Sequence, residues 1–169
     1  MNSLVVAALV VIVALVLSQR RAKTTTDRRS QSYFDEGSCL LVSSRGLASV
    51  CDVKPPRPVS SVKRCYLSRA DLAALGPDKT VYVPTSALQA FSTMLGFLRH
   101  PITLVTGDAD ETVDGAHFYR KIAESQMIRR WFGQNMTLTH PKCVQMPIGL
   151  DYHTLANSDE RVLPSEQEA

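Results

Sequence analysis

The sequence lacks most of the short motifs that identify a common chemistry. Its four cysteines form no CxxC pair, which argues against a zinc ribbon or a thioredoxin-type redox site and leaves either one disulfide or free buried thiols. It has no Walker loop, no GxGxxG turn, no GxSxG elbow and no HExxH helix. The formal net charge of +3 at pH 7 is small, so we predict no nucleic-acid partner.

The amino-terminal segment has no charged side chain before Arg20 and is wholly apolar over residues 4–17. With its polar flanks this run is long enough to cross a thin bilayer, although a signal-peptide core has a similar length. No Lys or Arg precedes the run, which favours an uncleaved segment. We therefore predict a single-pass transmembrane anchor over residues 1–19 and a flexible polar linker over residues 20–37.

The sequence leaves the side of the membrane open. The basic residues that follow the anchor place the folded part in the cytoplasm by the positive-inside rule. Asn135 begins a glycosylation sequon, which matters only if the domain is lumenal. The predicted location is thus a membrane, with its compartment and orientation undecided.

Residues 38–158 have the pattern of an α/β domain, in which apolar, β-branched runs alternate with helical spacing. The predicted strands of its regular part cover residues 80–83, 102–106, 128–132 and 142–146. This alternation predicts a small three-layer domain with a mainly parallel sheet. Residues 38–43 predict a further strand, and Ser86 with Gln89 predicts a capping box at the first crossover helix.

Polar side chains cluster where the predicted strands end. Asp108 and Asp110 follow the second strand, Asn135 follows the third, and Asp151 and His153 follow the fourth. Because ligands bind at the carboxyl ends of parallel strands, we expect these residues to line one cleft. Carboxylates there can bind sugar hydroxyls, hold a divalent cation or act as a base. The alternatives are a solvated acidic turn and an amide that pins a neighbouring loop.

The region from Thr80 to Leu155 contains the segments LVTGDADETV, IRRWFGQN and HPKCVQMPIGLDYHTL. Together they resemble a block of exostosin-like and related glycosyltransferase-type proteins, in which a strand ends in an acidic loop, a Trp-Phe-x-x-Asn strand follows and a Pro-Ile-Gly turn closes the block. The resemblance implies half of a transferase fold with two Rossmann-like halves. In such enzymes the nucleotide sugar is held mainly by the second half. Because the resemblance covers one half only, we expect this chain to be an acceptor-side half, a truncated relative or a fragment.

Together with the predicted anchor, the resemblance implies a membrane-anchored glycosyltransferase-like protein with a carbohydrate acceptor and, if active, a nucleotide-sugar donor. Asp110 or Asp151 would be the base, while Asp108, Asn135 and His153 would bind substrate. No metal site and no oligomeric state are predicted. Residues 159–169 are a polar tail or the start of a truncated helix. A non-catalytic membrane-anchored binding or structural protein is the alternative, and a metal-dependent hydrolase is a weaker one.

Overall fold

The sheet consists of four parallel strands in a computed structural model that describes residues 36, 39–57, 61–152 and 167. The strands are β1 (Thr80–Pro84), β2 (Ile102–Gly107), β3 (Ile128–Gly133) and β4 (Cys143–Gln145). They lie side by side in the order of the chain, and each neighbouring pair is parallel. The prediction of an α/β fold with a parallel sheet is confirmed.

Helices cover both faces of this sheet. They are α1 (Ser44–Ser49), α2 (Arg69–Ala74), α3 (Leu88–Ser92) and α4 (His117–Glu124), with 3-10 turns at Thr85–Ala87 and Leu95–Phe97. Helix α3 packs on β1, α4 packs on β3, and the two helices contact each other. Helix α1 packs against β2 and belongs to a separate apolar cluster on the other face.

Burial of both faces explains the nearly continuous apolar character of β1 and β2. Along β1, Val81 and Val83 join the larger core cluster with Leu88 and Phe91 of α3. Tyr82 lies between these two valines and belongs to the smaller cluster that includes α1. Successive side chains of a strand point to opposite faces, so one short strand contributes to two cores.

The outer edge of β1 is partly occupied by a residue from outside the sheet. Val53 forms a parallel bridge to Val81, in which the Val53 N–H donates to the Thr80 carbonyl oxygen at 3.1 Å. The Tyr82 N–H donates to the Val53 carbonyl oxygen at 2.8 Å. The Asp52 carboxylate accepts a further hydrogen bond from the Thr80 N–H at 2.8 Å. These bonds satisfy backbone groups that an edge strand otherwise exposes.

Two local predictions are wrong for the same reason. The described residues 39–43 form no strand, because Ser43 caps α1 and its hydroxyl accepts a hydrogen bond from the Gly46 N–H at 2.9 Å. The capping box at Ser86 does not form, because its hydroxyl donates to the Val62 carbonyl oxygen at 3.1 Å and a 3-10 turn precedes α3. In both places a side-chain partner or a turn outweighs the local pattern.

The described residues include no helix that is long and apolar enough to cross a membrane. The predicted anchor over residues 1–19 lies outside the described part of the chain. The predicted linker over residues 20–37 and the predicted tail over residues 159–169 are described only at Glu36 and Gln167.

The four cysteines are free thiols, and Cys39, Cys51 and Cys65 are buried. Burial raises the pKa of Cys51 to about 12 and that of Cys143 to about 11. At pH 8 we therefore expect the thiolate fraction of Cys51 to be about 1,000-fold below that of an unperturbed thiol, and that of Cys143 about 100-fold below. Timed iodoacetamide labelling with peptide mass spectrometry measures this, and the chain in denaturing urea is the control. Native labelling of Cys51 as fast as in urea would contradict the expectation.

The raised pKa of Cys51 also sets the sign of a pH effect on stability. The folded state favours the neutral thiol over the thiolate, whose ordinary pKa is 9.0. The contribution of Cys51 to stability is therefore fully present below pH 9 and is lost as the pH rises toward 12.

Candidate functional site

A pocket of about 280 Å³ lies at the carboxyl edge of the sheet. Its walls come from residues 108–110 after β2, residues 134 and 135 after β3, residues 148–151 after β4, and the start of α1. The structure therefore brings together four of the predicted site residues, namely Asp108, Asp110, Asn135 and Asp151. His153, the fifth, lies outside the described residues.

Gln134 holds three walls of this pocket together. Its side chain is only 3% exposed, and its Nε2 donates to the Pro147 carbonyl oxygen at 3.1 Å and the Ile148 carbonyl oxygen at 2.6 Å. Its Oε1 accepts from the Ser44 hydroxyl at 2.6 Å and lies 3.4 Å from the Asp108 nitrogen. One amide therefore fixes the loop after β4 and the start of α1 relative to β3.

Asn135 and Asp108 turn the chain sharply at the ends of their strands. Both have left-handed backbone angles, with φ of 50° and 59°, a region that Asn and Asp adopt more readily than most residues. The Asn135 Nδ2 donates to the Ala109 carbonyl oxygen at 3.2 Å, and the Val113 N–H donates to the Asn135 carbonyl oxygen at 2.9 Å. Asn135 thus pins the acidic loop in addition to lining the pocket.

Gly149 closes the pocket on the side of α1. Its φ is +78°, and a Cβ atom at this position would overlap the carbonyl oxygen of Val42. The next residue, Leu150, donates its N–H to that same Val42 oxygen at 2.8 Å. Only glycine combines this φ with so close an approach of two backbones. The loop after β4 is thereby held against the residue that precedes the N-cap of α1.

The charges around the pocket are mainly negative. Beside it, Glu36 is 2% exposed and accepts a hydrogen bond from the Ser43 hydroxyl at 2.7 Å. Burial raises the pKa of the Glu36 carboxyl, and the charges of Asp151 and Asp108 raise it further, while the Ser43 bond and the charge of Arg45 oppose the shift. Two pocket carboxylates are therefore close enough to Glu36 to influence its ionisation. The pocket favours ligands that donate hydrogen bonds over anions.

The structure adds residues that the sequence pattern did not identify as part of a site. The position of Gln134 after a strand predicts an amide that binds a ligand or pins a neighbouring loop, and the structure shows the pinning role, but nothing local identifies its four partners. Glu36 falls within the stretch assigned to the polar linker, and Ser44 falls next to a predicted strand. In the sequence, Gln134 is indicated only by the GQN triplet, in which both amides follow the end of a predicted strand.

The fold and the pocket define a small α/β domain with an acidic site at the carboxyl edge of a parallel sheet. Within the described ranges, no group of three or more His, Cys, Asp or Glu side chains is arranged to hold a metal ion. Comparison with protein-family models, with curated proteins and with solved structures finds no match to the chain.

Proposed function

We propose that the acidic pocket binds a carbohydrate, as the acceptor-binding part of a glycosyltransferase-like protein. The observation that carries this proposal is the convergence of Asp108, Asp110 and Asp151 from two loops into one pocket. Carboxylate oxygens accept hydrogen bonds from hydroxyl groups, and a sugar ring presents several hydroxyls in different directions. A volume of about 280 Å³ is at the small end of ligand pockets, which suits a single sugar ring.

In this proposal one carboxylate serves as the base for transfer to an acceptor hydroxyl. Asp110 or Asp151 takes the hydroxyl proton while the hydroxyl oxygen bonds to the anomeric carbon of the donor and the leaving group departs with its bonding electrons. Asp108 and Asn135 orient the acceptor, and we assign the same role to His153. The donor is a nucleotide sugar.

The consecutive parallel strands support a Rossmann-like half of a two-domain transferase fold, and we propose that it is the acceptor-side half. The apolar run over residues 4–17 supports a single-pass membrane anchor.

A second candidate function is carbohydrate binding without catalysis in a membrane-anchored protein. It is favoured by the use of Gln134 and Asn135, whose amides hold the pocket loops together. A pocket maintained in this way binds a ligand whether or not one of its carboxylates acts as a base.

The binding part is tested by saturation-transfer NMR on the full chain in phosphatidylcholine nanodiscs. The probes are glucose, galactose, mannose, xylose, N-acetylglucosamine and glucuronate. We expect saturation of at least one neutral sugar and little of glucuronate, because the pocket repels an anion. For Asp151→Asn and Asp110→Asn we expect at least a fivefold weaker apparent affinity, because each loses a charged acceptor of a hydroxyl.

The matched control is Glu124→Gln, which removes an exposed carboxylate at the end of α4, away from the pocket. It should bind like the unmodified chain. Binding of no neutral sugar, or equal binding by both aspartate variants and the control, would overturn the proposal. Sugar binding without transfer from any nucleotide sugar to a bound acceptor would leave the second candidate in place.

A further inference from the structure

A larger groove of about 720 Å³ lies between α3 and the segment that precedes α2. Most of its lining is apolar or aromatic, including Val62, Tyr66, Leu67 and Met94. Its volume is within the range of pockets that enclose drug-sized ligands. It shares no lining residue with the acidic pocket.

The groove is strongly basic, although its walls are apolar. Arg57, Arg64 and Arg69 line it, and no Asp or Glu does. The ion pairs among the described residues join other side chains, Lys79 to Asp52 and Arg129 to Asp78. The three arginines therefore have no carboxylate partner in the part of the chain that the structure describes.

One of these arginines is held in place by an aromatic ring. The Arg69 guanidinium carbon lies 5.0 Å from the centroid of the Phe97 ring, within the range of a cation–π contact. Arg69 is also the first residue of α2, whose N-cap Ser68 forms a capping box with Asp71. The capping box fixes the backbone at Arg69, and the ring contact favours one position of its guanidinium, which lowers the entropic cost of binding.

We infer that this groove binds an organic phosphate, in which a phosphate or diphosphate is attached to an apolar or aromatic body. Three guanidinium groups supply more hydrogen-bond donors and more positive charge than one carboxylate can use, whereas a phosphate offers three terminal oxygens and up to two negative charges. The apolar walls and Tyr66 provide the contact surface for the body. This inference does not depend on the carbohydrate site.

The test is isothermal titration calorimetry on the full chain in phosphatidylcholine nanodiscs, with empty nanodiscs as the blank. The probes are adenosine diphosphate, octyl phosphate, pyrophosphate and adenosine. We expect adenosine diphosphate or octyl phosphate to bind at least tenfold more tightly than both pyrophosphate and adenosine. Only a molecule that carries both a phosphate and an apolar or aromatic group contacts the arginines and the apolar walls at the same time. The tighter of the two probes shows whether the body is aromatic or aliphatic.

Two variants place the binding in the groove. Arg64→Ala should lower the affinity for the tighter-binding probe at least tenfold, because a charged hydrogen-bond donor is lost. Val62→Asp should lower this affinity to a similar extent, because it adds a negative charge at an exposed lining position. Arg99→Ala, an exposed arginine that does not line the groove, is the matched control and should bind normally.

The inference is overturned if no phosphate probe binds, if pyrophosphate alone binds as tightly as both organic phosphates, or if Arg64→Ala and Val62→Asp bind like the control. Asp151→Asn should leave phosphate binding unchanged. Failure of the carbohydrate proposal is therefore distinguishable from failure of this one.

Discussion

Replacement of Gln134 by alanine is expected to lower the free energy of unfolding by about 3 kcal/mol, because it removes four partly buried hydrogen bonds. The lost partners are Pro147, Ile148, Ser44 and Asp108, which belong to three separate walls of the acidic pocket. Urea unfolding followed by the fluorescence of Trp131, the single tryptophan of the chain, measures the change. We also expect the variant to lose carbohydrate binding, because its walls are no longer fixed relative to one another.

A second variant separates donors from acceptors. Gln134→Glu keeps the size of the side chain and its acceptor for Ser44, but an ionised carboxylate cannot donate to the two carbonyl oxygens. We expect it to be at least as unstable as the alanine variant at pH 7. Gln145→Ala, which truncates an exposed glutamine on β4, is the matched control and should stay within about 0.5 kcal/mol of the unmodified chain. A stable Gln134→Ala would show that the loops are held by other contacts.

Replacement of Trp131 by alanine is expected to cost about 3–5 kcal/mol, the largest stability effect among these substitutions. Trp131 is fully buried on β3, and its Nε1 donates to the Thr106 hydroxyl on β2 at 3.0 Å. Its ring also lies 6.3 Å from that of Tyr119 on α4, centroid to centroid. Truncation therefore leaves a cavity between sheet and helix and a buried hydroxyl that has lost its donor.

The measurement is thermal unfolding by circular dichroism, because the variant has lost its fluorophore. Arg129→Ala is the control on the same strand, where an exposed arginine pairs with an exposed Asp78. Surface ion pairs contribute little, so we expect a change of less than about 1 kcal/mol. Equal unfolding temperatures for the two variants would contradict the assignment of Trp131 to the centre of the core.

The strands could be predicted from the sequence because the pattern that indicates a strand lies within the strand residues themselves and the turn that follows them. Runs such as residues 102–106 are largely buried on both faces, so they are nearly continuous in apolar character and end where turn-forming residues begin. The grouping of Asp108, Asp110, Asn135 and Asp151 followed from the same pattern, because parallel strands bring their carboxyl ends to one edge.

The features that could not be predicted from the sequence depend on contacts between residues that are far apart in the chain. The hydrogen bond from Ser44 to Gln134 spans 90 positions, and no periodicity encodes it. Likewise, Ser86 and Gln89 have the spacing of a capping box, but the Ser86 hydroxyl binds the backbone of Val62 instead. A side chain with several possible hydrogen-bond partners binds the one that the tertiary fold brings close to it, and this partner cannot be identified from the local sequence.

The bridge between Val53 and β1 limits how this sheet can grow. Its hydrogen bonds use the outward-facing backbone groups of Thr80 and Tyr82, so an incoming strand finds that border already occupied. A neighbouring domain or a second polypeptide that extends the sheet would therefore align more readily beside β4, next to the loop that carries Gly149 and Asp151. Strand addition would then take place at the rim of the acidic pocket, where it could alter the shape of the pocket directly.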